Sequence, residues 1–538
     1  MRILLSPGEK EKGMTFIWIL FLLVILTVLS LAFIRRISIG TSAVASIGSA
    51  MQADYLARAA VNHALWLQLN DPAFSPSGDI YYMHDLGRGR YGYKVRPPTM
   101  DRFGSVAAVG AVDNVVKRQS YVQYLKPYNI ITAYSRAGES IPQCRKILGA
   151  RWDTAFDSFD EGASTAPWLV LRGCPTRKEM IMGTIDASND LNLIVWDGSS
   201  WGDRGEFATT ANMDVRAYDI AYENLSGDAL VVGRRDASEQ VYYQIWNGSQ
   251  WSSRNLAFGT GLTSVLRYLT MASRPGSDEI LIAAVSNYRN LKILKWDGSS
   301  FTDLGVIDFF LESDRYLCVD IVYEQQSGHA LILWAHNNAS RIYYSVWNGT
   351  SLSGVSVLPD FGAEIHTIRA AADPTSDYVF VAAVDEYRDL NVAVWNGDAW
   401  TDSMEVETTT YADYGQIYDV AWEPSGERVL AVWSANGGNN VRYFTWEKGT
   451  ALADHAVQTG PSLQMTPILI RLLPLWNSAK IIMLGSNSNS ELCYCLWTGN
   501  TFLGDPGITL ESSLDYADIN YCPVDVAEWG ITYTGGSG

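Results

Sequence analysis

Four aspartates recur at near-constant spacing: Asp219, Asp320, Asp419 and Asp518, separated by 101, 99 and 99 residues. The first three open the five-residue segments ending at Glu223, Glu324 and Glu423, with apolar or aromatic residues between. Carboxylates gathered by a repeat can form a ring of oxygen ligands for a hard cation such as Ca²⁺. They can instead accept backbone N–H groups and fasten one repeat to the next. Both readings stay open on residue type alone, with the second favoured. Beyond Ca²⁺ no cofactor is expected.

A second set is aromatic. Trp196, Trp246, Trp296, Trp347, Trp395, Trp446 and Trp497 each precede a tight turn, at gaps of 50, 50, 51, 48, 51 and 51 residues. These are expected to pack between repeats. Trp201, Trp251 and Trp400, just after the turn, are expected to be more exposed and suited to stacking a sugar ring. The six histidines (63, 84, 329, 336, 366, 455) are scattered, and no metal-ligand spacing such as HExxH occurs. No GxSxG, P-loop or dinucleotide glycine motif is present. No catalytic residue is assigned. Of the six cysteines, Cys493 and Cys495 stand two apart on one expected strand and cannot easily pair. Cys174 and Cys522 end equivalent strands of neighbouring repeats, so a Cys174–Cys522 bridge is a candidate.

The elements that position these residues follow from the repeat. Each unit of about 50 residues holds four short β-runs, and tandem four-stranded units make propeller blades. The Asn-Gly and Asp-Gly pairs after the tryptophans predict hairpins in which both central residues take positive φ. Two unit types alternate, one with the aspartate and one with Leu169, Leu269, Ile368 or Ile470 in its place. Seven full units are present. Residues 515–534 read as the first two strands of a further aspartate-type unit and 141–157 as its last two. Spliced together, they predict an eight-bladed propeller over 141–538. A seven-bladed ring is the alternative. The aspartates then lie on first strands, which line the axis.

Ahead of the repeats the chain differs. Met14 to Ile34 is 21 residues without a charge, enough for a bilayer-crossing helix. A helical apolar stripe continues to Asn70, and Pro72 ends it. Residues 72–128 read as short strands separated by turn residues, and 129–140 as a linker. Residues 1–130 hold 14 basic and 8 acidic side chains, against 26 and 50 in the rest. An acidic outer part excludes nucleic acid as a partner and disfavours anionic lipid.

Lys10, Lys12 and Gly13 before Met14, Thr15, Phe16 and Ile17 resemble the class III leader of type IV pilins and pseudopilins. The segment from Gln52 to Trp66 is similar to that of PilX-like minor pilins. The resemblance implies a leader over 1–13, cleavage between Gly13 and Met14 by a prepilin peptidase, and a helix over 14–71 whose transmembrane part is 14–34. It further implies a small antiparallel sheet over 72–128, so the fold class is an α+β pilin-like module followed by an all-β propeller. Trp18 stands at mature position five, where major pilins carry Glu, which argues against a shaft subunit.

The implied partners are other pilins or pseudopilins through the helix, and the inner membrane before assembly. The implied role is a minor pilin displaying its propeller at the cell surface to bind a glycan or protein. A pseudopilin of a type II secretion system and a membrane-anchored propeller glycosidase are the alternatives.

Overall fold

The computed structural model describes residues 168–503, apart from 186–187, 199, 210, 212–213, 237–239, 259–261, 263, 315–316 and 476–478. It also describes 21–31, 35–36, 48–61, 63–64, 67, 81–96, 104–112, 115–123, 130–136, 143–148, 151–152, 157–158, 509–511, 514–521 and 533–534. Gly13, Met14, Trp18 and Cys522 lie outside the described residues. The chain divides into two units, one holding 1–97, 104–123 and 531–538, the other 98–103 and 124–530.

In the smaller unit, residues 21–31 and 48–61 are helical. The rest of the expected 14–34 span and much of 62–71 lie outside the described residues. Among those described, no helix is long and apolar enough to cross a membrane. The sheet is an antiparallel meander of Tyr82–Leu86, Gly89–Arg96, Gly104–Val112 and Val115–Gln123. Ala60, Val61 and Ala64 of the helix bury themselves against Tyr93 and Ala108. The approach is close because Gly89 and Gly110 carry no side chain there: a Cβ would collide with Ala53, Leu56 and Ala57. A fifth strand, Tyr533–Thr534, pairs with Tyr121 and Ser120. The chain therefore leaves this sheet after Gln123 and returns to it near its end.

The larger unit is a propeller of eight sheets. Blade 1 runs Trp168–Gly173, Met180–Ile185, Leu191–Trp196, Trp201–Ala208. Blade 2 is Tyr218–Tyr222 to Asn255–Phe258, and blade 3 Leu266–Ser273 to Phe301–Asp308. Blade 4 is Val319–Tyr323 to Ser356–Val357, and blade 5 Ile365–Ala372 to Trp400–Glu407. Blade 6 is Tyr418–Trp422 to Gln458–Ser462, and blade 7 Pro467–Pro474 to Phe502–Leu503. The first strand of each blade lies against the first strand of the next, and blade 8 sits between blades 7 and 1, so the ring closes. Each blade is covered on both faces by its neighbours. Second strands such as Met180–Ile185 and Ile280–Ser286 are accordingly buried at every residue.

Blade 8 is spliced, but not as two strands plus two. Its order is Leu514–Tyr521, Ile130–Arg136, Gln143–Leu148, Arg151–Trp152. The C-terminal segment supplies one strand only. Residues 130–136, expected as linker, supply the second, with Asp518 opposite Ala133.

The turn after each repeated tryptophan also differs from expectation. Gly248 has φ 86° and Gly298 φ 90°, but the preceding Asn247 and Asp297 do not take positive φ. Their side chains act instead. Asn247 Oδ1 accepts the N–H of Ser249 and of Gln250, each at 3.0 Å. Asp297 does the same for Ser299 and Ser300 at 2.9 and 2.8 Å. The Asn or Asp is selected as a side-chain acceptor, and only the glycine for its backbone.

Candidate functional site

The recurring aspartates are spent on fastening blades. Asp219 Oδ1 accepts the N–H of Ile220 at 2.9 Å, and Oδ2 that of Met271, on the next blade, at 3.1 Å. Asp320 repeats this with Ile321 and Ala370 at 2.9 and 3.0 Å. Asp419 repeats it with Val420 and Leu472 at 3.0 and 2.9 Å. Arg172 and Arg216 reach Asp219 Oδ1 at 3.1 and 3.0 Å. Burial raises the Asp320 carboxyl to about 6, and Arg369 opposes the shift. Oxygens already holding N–H donors and guanidinium groups do not fit a Ca²⁺ ion. Among the described residues, no three His, Cys, Asp or Glu side chains gather to hold a metal. Asp518 lies on the matching strand of blade 8; its side chain is outside the description.

The repeated tryptophans pack between blades. Several donate their indole N–H to a buried carboxylate of the preceding blade: Trp347 to Glu279 at 2.9 Å and Trp395 to Glu324 at 2.6 Å. The acids are residues the sequence reading did not single out, although Glu223, Glu324 and Glu423 close the very segments the aspartates open. Trp201, Trp251 and Trp400, expected as exposed platforms, are half-buried. Each leans on its partner before the turn, with ring centroids at 5.6, 5.2 and 5.4 Å. Trp251 further donates to the Asp203 carbonyl at 2.8 Å. They mortar the repeat rather than face a ligand. Cys174 is buried and its sulfur donates to the Gly227 carbonyl at 3.5 Å, while Cys522, its expected partner, lies outside the described residues.

Exposed aromatics gather elsewhere. In an antiparallel blade, the connection between strands 2 and 3 and the connection to the next blade emerge at the same end. Among the described residues of the propeller, the exposed Phe, Tyr and Trp side chains are Tyr288, Phe309, Phe310, Tyr387 and Tyr411. All five lie on these two kinds of connection, in blades 3 and 5. The described residues of the opposite end, where the WNG-type turns are, include none.

This end has a polar underlay. Tyr414 donates to Glu312 Oε1 at 2.5 Å, from a connection two blades away. Tyr414 also stacks on His366, with centroids 4.5 Å apart and planes at 14°. His366 Nδ1 sits 3.5 Å from Asp413 Oδ2. Burial raises the Glu312 carboxyl, while the Tyr414 hydroxyl and His366 hold it back. Arg289 adds to these contacts, donating to the Glu312 carbonyl at 2.7 Å and to Asn337 Oδ1 at 2.9 Å. The connections of blades 3, 4 and 5 are thereby tied together by side-chain contacts at the end that carries the exposed aromatic rings. Such a surface can hold a ligand through ring stacking and hydrogen bonds. A sequence signal for it existed: Tyr288-Arg289 and Tyr387-Arg388 repeat 99 residues apart, each followed by Asn or Asp and then Leu.

The histidines are less scattered than their numbers suggest. In the smaller unit His63 of the helix meets His84 of the sheet at 4.9 Å between centroids. His84 stacks on Tyr91 and Tyr93 at 5.1 and 5.6 Å.

No family model matches the chain, and no curated protein does. Among solved structures it is similar to the BP39L lectin of Burkholderia pseudomallei, at 11% identity and TM-score 0.46, covering 64% of this chain and 99% of that one. It is also similar to a variant of the Aleuria aurantia lectin with α-methyl-L-fucoside, at 13% identity and TM-score 0.33, covering 55% and 93%. A third is BBS1N in complex with ARL6DN, at 11% identity and TM-score 0.36, covering 61% and 89%. At these values the likenesses carry no functional argument. The closed ring of eight sheets, six of four strands and two of five, is what makes this chain a β-propeller.

Proposed function

We propose that this chain is a minor subunit of a type IV pilus, made to recognise a surface through its propeller. The observation that carries the recognition role is the concentration of exposed aromatic side chains at one end of the ring, where side-chain hydrogen bonds tie the connections together. Exposed apolar groups gathered in one place mark interaction sites. The carrier role rests on the pilin-like sequence of residues 10–17 and on the helix packed against an antiparallel sheet. In this reading a prepilin peptidase cuts after Gly13 and the helix enters the filament beside other pilins. Trp18, replacing the usual Glu, suits a rare or terminal position. Before assembly the helix is held in the inner membrane with the propeller in the periplasm; afterwards the propeller stands outside the cell. No catalytic role is assigned.

N-terminal sequencing of the mature protein, with immunodetection in sheared filaments, tests the carrier role. The expected first residue is Met14, and the chain should co-purify with filaments. A mature chain starting at Met1 and absent from filaments would overturn it. Binding of the full chain to target cells, compared with a Phe309→Ala, Phe310→Ala variant, tests recognition. Equal binding would remove this end of the propeller as the site.

A further inference from the structure

The tyrosines of blades 3 and 5 sit on one and the same turn. Ser286 Oγ accepts the N–H of Tyr288 and of Asn290 at 3.3 and 3.2 Å. Asp385 Oδ1 accepts those of Tyr387 and Asp389, both at 3.0 Å. The next residue is left-handed in both, Arg289 at φ 61° and Arg388 at φ 69°. Blade 7 builds the same turn without either side chain. There Asn487 Oδ1 accepts the N–H of Asn489 and Glu491 at 3.0 and 3.1 Å, and Ser490 has φ 60°. The turn therefore needs neither a tyrosine nor an arginine. Both tyrosines are 67% exposed, so they gain little from packing. Arginine at positive φ is itself disfavoured against Asn or Gly. The arginine has a role inside the fold, since Arg289 donates to the Leu311 and Glu312 carbonyls and to Asn337. An exposed tyrosine used twice, where the turn is satisfied by Asn489, is selected for something outside the fold.

The charges around the rings narrow the ligand. Each tyrosine is followed by an arginine, which opposes a cation on the ring. Glu386 stands on the turn of Tyr387, and Glu312, Glu364 and Asp413 on blade-to-blade connections at the same end of the ring, which opposes an anion. Mixed donors and acceptors beside a flat apolar ring suit a neutral molecule that has hydroxyls on its edge and C–H groups on its face. We infer that Tyr288 and Tyr387 are the stacking platforms of two equivalent subsites for a neutral saccharide, with Arg289 and Arg388 beside them. This rests on the recognition role proposed above and names its ligand class. Two subsites on alternate blades favour a repeating or branched glycan, since the second contact is then intramolecular.

The test is the full chain, wild type and variants, on a printed array of neutral, amino and acidic oligosaccharides. Neutral oligosaccharides should be retained in about 0.5 M NaCl, where exposed charge pairs are screened. Tyr288→Ala and Tyr387→Ala should each weaken retention about tenfold, the loss of roughly one stacking contact, and together abolish it. Tyr387→Phe should bind nearly as wild type, because the ring is kept. The assignment is overturned if only charged oligosaccharides bind and salt releases them, if nothing neutral binds, or if the double alanine variant binds as wild type. Should that variant still attach to target cells, recognition survives and only the saccharide class falls.

Discussion

Trp296 donates its indole N–H to Glu223 of the preceding blade at 2.6 Å, with both side chains buried. The same contact joins Trp497 to Glu423 at 2.9 Å. Burial raises the carboxyls of Glu223, Glu324 and Glu423, and the hydrogen bonds they accept oppose that shift. A blade thus has a polar clasp to its neighbour within an apolar seam. Burying an indole without a partner for its N–H would cost part of what its apolar area contributes.

Removing the acceptor should loosen the seam. Glu324→Ala leaves the Trp395 N–H buried and unpaired, and is expected to destabilise the propeller by about 1–3 kcal/mol. Glu324→Gln keeps an oxygen in place and should lose less. Thermal unfolding followed by tryptophan fluorescence reads both. An unchanged midpoint for the alanine variant would mean the clasp is idle.

Asp219 ties more groups than any clasp. Asp219→Ala strands the Met271 N–H and removes the carboxylate partner of Arg216, which is 5% exposed. Losing one partner of a buried hydrogen-bonded group typically costs about 1–3 kcal/mol, and Asp219 serves several such groups. Low yield of soluble protein or a large drop in the unfolding midpoint is expected. Asp219→Asn, which keeps one oxygen acceptor, should fall between.

The histidine pair makes the smaller unit acid-sensitive. Burial first, and His84 second, lower the pKa of His63 from its ordinary 6.5. The folded state therefore prefers His63 neutral. The stability this supplies is complete above pH 6.5 and is lost as pH falls from there through the folded-state value. Hydrogen exchange in residues 81–96, corrected for intrinsic rates, should speed up as pH falls below that point. His63→Phe should flatten the dependence. Equal protection on both sides of pH 6.5 would count against the pair.

The buried thiols should be silent. Burial pushes the Cys318 thiol up strongly and the Cys493 thiol up to about 11. Thiolate, not thiol, is the nucleophile, so neither should react with a thiol reagent in the native protein. Quantitative labelling of both after denaturation and none before is the expected mass spectrum. Rapid native labelling of Cys318 would show that blade 4 opens.

Much of this architecture was legible because it repeats. Seven tryptophans at steps near 50 residues located the blades, and the alternating aspartates demanded an eighth. The splice was misjudged because residues 130–136 stand outside the tryptophan spacing and look like a connector. The blade-fastening role of Asp219, Asp320 and Asp419 was one of two readings, since sequence places a carboxylate on a strand but not its partners. The glutamate clasp escaped notice because its two halves lie about seventy residues apart, in different repeats. Trp201, Trp251 and Trp400 misled because a residue after a turn is ordinarily wet. Here the tryptophan before the turn draws each of them inward. The tyrosines on the other connections carried a repeat of their own, but one with only two copies.

Ile130 and Tyr521 are register partners in blade 8, and the strand of Tyr533–Thr534 rejoins the sheet that ends at Gln123. Ile130, where the chain enters the ring's closing pair, and Tyr521, where it leaves that pair, therefore stand at the same end of two paired strands. If the small unit is held and the ring is pulled, tension divides between two covalent tethers. A fused ring hanging from one terminus would put the whole load on a single tether and unzip its own closure first.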